Sequence, residues 1–181
     1  MISKNNYLVL ISLVFIVSSC TTEKLFKNEN GLTMMSAAPI KWYLTFPTGK
    51  FQFVNKMKKP DNSGTYFMFS NYETGVSVSF FLDSAGKCKS SECLRDVAWI
   101  KQKDNLEGAS NILLSSIGDA YSYEYLLPQV YNYYNLHVNV YKDGYWVDIH
   151  LSKLNYSEKD RYLFTDFISS LSFQPKIKNK Q

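Results

Sequence analysis

The segment YNLHVNVYKDGYWVDIHLSK, residues 134–153, has the pattern of a long β-hairpin. Two alternating runs flank Asp143-Gly144. Asp-Gly between such runs predicts a two-residue hairpin turn, because both central residues of a type I′ turn need positive φ. The turn pairs Lys142 with Tyr145 and so fixes the register of both strands. One face of the hairpin is then aliphatic, with the pairs Val140–Val147, Val138–Ile149 and Leu136–Leu151. The other face is polar and aromatic, with the pairs Tyr141–Trp146, Asn139–Asp148 and His137–His150.

Outward from the hairpin, the chain alternates between strand and helix patterns. Apolar alternation predicts four strands at 40–46, 50–57, 65–71 and 76–82, a helix at 91–108, and two strands at 111–119 and 121–128. After the hairpin, Ser157 begins a last helix with an apolar stripe that ends at Leu171. Helices inserted into an antiparallel meander predict one α+β domain, an antiparallel sheet flanked by helices. We expect a helix to cover the aliphatic face of the hairpin and to leave the other face exposed. The alternative is a three-layer sandwich in which both faces are partly covered.

The first nineteen residues have the pattern of an export signal. Lys4 precedes an apolar run at 7–17, which is too short to span a bilayer. The run ends in Val17-Ser18-Ser19-Cys20, which resembles the bacterial lipobox. The resemblance implies cleavage before Cys20 and a lipid anchor on Cys20 that carries acyl chains such as palmitate. The alternative is an ordinary secretory signal with a coincidental cysteine.

The residue after the cysteine bears on location. Thr21 stands where an Asp would imply retention at the inner membrane in enterobacterial lipoproteins. We therefore expect an outer-membrane lipoprotein with its domain in the periplasm. The predicted division is a signal peptide at 1–19, a lipidated tether at 20–38, a single α+β domain at 39–175 and a basic tail at 176–181. A tether of that length reaches at most about 60 Å.

The order of elements and several segments resemble the PsbP/Mog-like sandwich family. The segments are KWYLTFP (41–47), GKFQF (49–53), TGVSVSFF (74–81), the long Asp-Gly hairpin and FISSLSF (167–173). The resemblance implies an α/β/α sandwich. It also implies binding of other proteins rather than catalysis, since the family includes photosystem accessory subunits, a Ran-binding protein, envelope lipoproteins and chaperones for secreted effectors. No residue role carries over from it.

Two cysteines remain once Cys20 is assigned to the lipid. Cys88 and Cys93 are an even pair in an exported domain, which predicts a disulfide that joins a loop to the start of the first helix. A redox-active pair is the alternative, but this spacing is not the usual one for it.

The histidines and two strand carboxylates are the candidate residues for a chemical site. His137 and His150 face each other across the hairpin with Asp148 as a diagonal neighbour, a set that could hold zinc with an open fourth position. Two histidines on a polar sheet face arise equally from register alone, so no metal and no cofactor are predicted. The strand carboxylates Glu124 and Asp148 are the candidates for a hydrolytic pair. No nucleophile, metalloprotease, phosphate-binding or dinucleotide-binding motif accompanies them, which favours a protein that is not an enzyme.

Tyrosine and tryptophan crowd the second half of the chain and favour an interface with another protein. The predicted partner-binding residues are Tyr141, Trp146, Tyr131 and Tyr133. The net charge of +4 comes from scattered residues without a basic stripe, which argues against nucleic acid as a partner.

The resulting expectation is a non-enzymatic outer-membrane lipoprotein that binds another envelope protein as an accessory subunit of an envelope or secretion assembly. One alternative is an immunity lipoprotein that neutralises a toxin. The other is a metal-binding or hydrolytic enzyme of the periplasm.

Overall fold

The structure, a computed structural model, describes residues 26–37, 39–59 and 64–176. The predicted signal peptide, the lipobox cysteine Cys20 and residues 177–181 of the basic tail lie outside these ranges. Within them the strands are β1 (Phe26–Glu29), β2 (Leu32–Met35), β3 (Trp42–Pro47), β4 (Gln52–Lys58), β5 (Thr65–Asn71), β6 (Val76–Ser84), β7 (Ser110–Ile117), β8 (Ala120–Leu127), β9 (Tyr133–Lys142), β10 (Tyr145–Lys153) and β11 (Ser172–Pro175). The helices are α1 (Ser91–Lys103) and α2 (Arg161–Ser169), and a 3-10 turn at Glu158–Asp160 leads into α2.

The hairpin of β9 and β10 has the predicted register along its whole length. Lys142 pairs with Tyr145, and His137 lies opposite His150. Asp143 and Gly144 both have positive φ, at 51° and 85°, as a type I′ turn requires. The register predicted from the Asp-Gly turn is therefore confirmed.

The strands form two antiparallel sheets. One has seven strands in the order β4-β5-β6-β10-β9-β8-β7, and the other has four in the order β1-β2-β3-β11. Antiparallel sheets with two short helices confirm the α+β prediction. In the described part of the chain, neither helix is long and apolar enough to cross a bilayer.

The small sheet corrects the predicted tether. Residues 26–35 form the β1–β2 hairpin, which pairs with β3 and brings Met35 into the core. Its turn is Asn30-Gly31, and both residues have positive φ. The tether prediction at 20–38 is thus wrong over 26–37, because this segment carries its own hairpin turn and a buried methionine. The folded domain therefore includes β1 and β2, which precede the predicted boundary at Pro39.

The main core fills the space between the two sheets and α2. Phe46 of the small sheet stacks on Phe80 of the large sheet at 5.6 Å, and its ring lies 5.2 Å from that of Phe167 of α2. The inward face predicted for β6 is confirmed, since every second residue from Val76 to Leu82 is buried. Burial of this many large apolar side chains is the main stabilising term of the fold.

Helix α1 packs on the opposite face of the large sheet. Ser90 caps it, since its Oγ accepts a hydrogen bond from the Cys93 amide at 3.2 Å. The predicted disulfide between Cys88 and Cys93 is present and joins the preceding loop to the first turn of α1. The chain therefore forms three layers: α1, the large sheet, and a layer shared by the small sheet and α2.

Candidate partner-binding surface

Both faces of the β9–β10 hairpin are covered, which corrects the prediction that its polar and aromatic face is exposed. On the aliphatic face, Val138 and Ile149 pack in the main core with Phe164 of α2. On the other face, Tyr141 and Trp146 are half-buried and pack with residues of α1 and the loop before it. Large rings release as much apolar surface from water as aliphatic side chains do, so this face also attracts a covering helix.

Hydrogen bonds hold the covered rings in place. Trp146 Nε1 donates to Asn139 Oδ1 at 2.9 Å, and its ring meets Phe81 edge-on with centroids 5.6 Å apart. The backbone N–H of Tyr141 donates to Ser91 Oγ of α1 at 2.9 Å. Tyr141 and Trp146 therefore stabilise the contact between helix and sheet and are poor candidates for interface anchors.

The histidine pair forms a stack within the same face. The rings of His137 and His150 lie 4.1 Å apart and 3° from parallel, and Tyr123 stacks on His137 at 4.5 Å. His137 Nδ1 lies 3.2 Å from an oxygen of Asp148. His150 Nε2 donates to Asn135 Oδ1 at 2.9 Å. The stack thus joins β8, β9 and β10 through rings and polar contacts.

The stack does not have the geometry of a metal centre. An imidazole lone pair lies in the plane of its ring, so two parallel stacked rings direct their lone pairs along parallel planes and not at one ion. Among the described residues, no group of three or more His, Cys, Asp and Glu is arranged to hold a metal.

Burial lowers the pKa of His150 to about 3, and the neighbouring His137 adds to this effect while Asp148 opposes it.

The two carboxylates considered for hydrolysis lie on opposite faces of the large sheet. Glu124 pairs with Leu136 of the aliphatic face, whereas Asp148 pairs with Asn139 of the other face. Glu124 is already engaged, since both its oxygens accept from Arg161 Nη2 at 2.9 Å. Side chains on opposite faces cannot act on one bond of a substrate, so these two do not form an acid–base pair.

Tyr134 completes the group around Glu124. Its hydroxyl donates to Glu124 Oε2 at 2.7 Å, and Arg161 Nη1 donates to the tyrosine oxygen at 3.3 Å. Burial raises the pKa of Tyr134, and the hydrogen bond to the carboxylate raises it further. The group therefore acts as a satisfied polar link that ties the start of α2 to the sheet.

Exposed aromatic and aliphatic side chains gather at the end of the large sheet where three loops meet. We name this set the loop-end surface, and it consists of Tyr72, Val130, Tyr131 and Leu154, all of which are exposed. Tyr131 is 76% exposed and Tyr72 is 71% exposed, both high for such large rings. A cluster of this kind indicates an interaction site more strongly than scattered single residues do.

The backbone holds Tyr131 firmly in place. Its φ is 53°, in the left-handed region that bulky residues rarely adopt. The Tyr131 carbonyl accepts the N–H of Asn155 at 2.8 Å, and the Asn132 carbonyl accepts the N–H of Tyr156 at 3.1 Å. Strain maintained by neighbouring structure is concentrated at functional sites, and here it presents an aromatic ring to solvent.

A groove of about 600 Å³ runs beside the loop-end surface. Its lining includes Met68, Ser77, Tyr133 and Ser152, which share the sheet face that α1 covers further along. The groove is therefore the part of this face that α1 leaves open. Tyr133, one of the four predicted binding residues, lines the groove together with Val130, and Tyr131 follows Val130 in the same loop.

Sequence reasoning missed Tyr72 and Leu154. Both lie in short connections, Tyr72 between β5 and β6 and Leu154 after β10. The available signal was an aromatic or aliphatic residue in a turn rich in polar residues, where no core demands it. Their proximity to Tyr131 depends on strand order, which no local pattern reveals.

Comparison with known proteins bears on the fold. No protein-family model matches the sequence, and no curated protein matches it. Among solved structures, the chain is similar to the solution structure of cyanobacterial PsbP (CyanoP) from Synechocystis sp. PCC 6803, with a TM-score of 0.53 over 80% of this chain and 94% of that one. The fold is PsbP-like. Sequence identity is 14%, so the likeness concerns the PsbP-like fold alone.

Proposed function

We propose that this protein is a lipid-anchored lipoprotein of the outer membrane whose PsbP-like domain binds another envelope protein. It acts as an accessory subunit of an envelope or secretion assembly and catalyses no reaction. The sequence around Cys20 supports the anchor, because a lipobox-like segment directly follows an apolar run. The loop-end surface supports the binding role.

The observation that carries the proposal is the exposure of the Tyr131 ring on a backbone that hydrogen bonds hold in place. A tyrosine offers a large contact area with a polar tip and is enriched among the residues that dominate binding energy. Because two backbone hydrogen bonds already order its loop, binding costs little additional loop entropy. Tyr72 and Leu154 extend the apolar area, and the groove beside them accepts a side chain from the partner.

The polar groups of the described chain support a role without catalysis. Glu124 is bound by Arg161, and Asp148 lies on the other face of the sheet beside His137. Glu124 and Arg161 line a cavity of about 260 Å³ on one face of the sheet. Asp148 and His137 lie on the other face, so the two candidate carboxylates do not converge on one cavity as a hydrolytic site requires.

Affinity capture from envelope extracts tests the proposal, with a soluble form that begins at Thr21 as bait. Tyr131→Ala should weaken capture of the partner by about 2 kcal/mol, which is about 30-fold in affinity. Tyr162→Ala is the matched control, because Tyr162 is also exposed, at 59%, but lies on α2. It should leave capture unchanged.

Equal capture by both variants and the wild type would show that the loop-end surface does not bind the partner. Equal melting temperatures of the two variants would establish that the comparison concerns binding and not folding. The identity of the captured protein separates the two binding roles, since a secreted toxin would favour the immunity role and a component of an envelope assembly the accessory role.

A further inference from the structure

The two edges of the large sheet differ in how they are protected. β4 carries Lys56 and Lys58, both exposed, and a register irregularity between Phe53 and Asn55. Charged residues and bulges on an edge strand prevent pairing with another chain. β4 therefore has the usual defences against edge-to-edge association.

β7 at the opposite edge lacks these defences along most of its length. Its sequence SNILLSSI contains no charged residue and no proline. Its irregularity falls between Ser110 and Leu113, which leaves a regular segment from Leu113 to Ile117. Leu113, Leu114 and Ile117 are exposed, and in the described part of the chain β8 is the one strand paired with β7. An exposed apolar edge of this kind is suited to accept a further strand.

We propose that a second copy of this chain pairs with β7, so that two β7 strands join antiparallel and two large sheets become continuous. Absence of charge favours this occupant, because two identical strands place a charged residue on the two-fold axis opposite its own copy and bring those beside the axis close to theirs. The same pairing through β4 would place lysines close to lysines.

The register follows from symmetry. In a continuous antiparallel sheet, directly opposed side chains point to the same face. Two identical strands related by a two-fold axis must therefore pair so that one residue lies opposite its own copy at the axis. With the axis at Ser115, the centre of the regular segment, Leu113 lies opposite Ile117 of the second copy, and the reverse pair forms on the other side. Two apolar pairs then flank a central serine pair. This interface goes beyond the loop-end surface and does not depend on it.

Charged residues introduced at Ser115 test the proposal. Two differently tagged copies of the full chain are co-expressed, extracted in mild detergent and purified through one tag, and the recovery of the other tag is measured. Wild-type copies should co-purify. When both copies carry Ser115→Lys, or both carry Ser115→Glu, recovery should fall about tenfold because like charges lie opposite each other. A lysine copy with a glutamate copy should recover most of the wild-type signal, which also shows that both variants fold.

Asn55→Lys in β4 is the control for added charge at a sheet edge and should leave recovery unchanged. Wild-type copies that fail to co-purify would overturn the proposal, as would capture of an unrelated protein in place of a second copy. Recovery that is insensitive to the paired lysines, or that the mixed pair fails to restore, would overturn it as well.

Cysteine cross-linking tests the register independently. Opposed residues in an antiparallel pair have Cα atoms about 4.5–5.5 Å apart, within the span of a disulfide. Full chains with Ser115→Cys should therefore form a covalent dimer on oxidation with copper phenanthroline, beyond the background of the wild type. Ile117→Cys should not, because the two copies of residue 117 lie about 14 Å apart in this register. Cross-linking of both variants to the same extent, or of neither, would refute it.

Discussion

Acid should destabilise this domain through His150, and the size of the effect can be worked out from the histidine stack. Burial and the adjacent His137 lower the pKa of His150 from its usual 6.5 to about 3 in the folded protein. In the unfolded chain the imidazole regains its usual pKa. As the pH falls below 6.5, the unfolded chain takes up a proton that the folded protein refuses, so stability is lost between pH 6.5 and about 3.

Each pH unit within that window costs about 1.4 kcal/mol, so a sample at pH of about 4.5 should lose roughly 3 kcal/mol relative to neutral pH from this group. His150→Gln removes the titration and keeps a side-chain amide that can donate to Asn135 Oδ1. Urea unfolding at both pH values, followed by tryptophan fluorescence, gives the free energy of unfolding for wild type and variant.

The wild type should lose more stability than His150→Gln on acidification, by about that 3 kcal/mol. The difference between the two proteins isolates His150 from the carboxylates, which titrate in both. An identical pH dependence in the two proteins would refute the argument, because it would mean that the buried ring accepts a proton without cost. A folded state more stable in acid would contradict the sign.

Three further outcomes are expected. Trp146→Ala should destabilise the domain by about 2 kcal/mol, seen as a lower urea midpoint, because the ring packs under α1; an unchanged midpoint would place the ring in solvent. Alkylation without reductant, followed by mass spectrometry, should leave Cys88 and Cys93 unmodified, and Cys88→Ser should cost about 2 kcal/mol from the short loop; two alkylated thiols would exclude the bond. Cys20→Ala should abolish incorporation of labelled palmitate and release the protein from membranes, and continued labelling would contradict the anchor.

The sequence was informative wherever a turn and an alternating pattern agreed. Asp143-Gly144 sets a turn type, and the residues on either side sort into two distinct faces, so a shift of one position would mix them. The same turn signal is present at Asn30-Gly31, but its strands are only four residues long and β1, FKNE, is mostly polar, so local alternation does not reveal them. Their strand character comes from pairing with β3, a long-range partner that local patterns do not reveal.

Which layer packs on each face of the β9–β10 hairpin is harder to predict from the sequence. Periodicity distinguishes an aliphatic face from an aromatic one, but it does not say which layer packs on each. α1 lies over Trp146 because the loop with Cys88 and the cap at Ser90 direct the helix across that face. The sequence predicts only part of the loop-end surface, namely Tyr131, because this residue lies in the loop between β8 and β9. The neighbouring Tyr72 comes from a turn far away in the sequence.

The position of β1 at Phe26–Glu29 shortens the tether between the proposed lipid anchor and the domain. With β1 beginning at Phe26, the proposed anchor at Cys20 is joined to the first strand by a segment that spans at most about 20 Å, even when fully extended. The domain would then stay close to the lipid headgroups, at less than half the distance that a tether to residue 38 would allow. A soluble partner far from the membrane would lie beyond the reach of the domain. A partner anchored in the same bilayer that extends only a short distance from it would meet the domain at a high effective concentration.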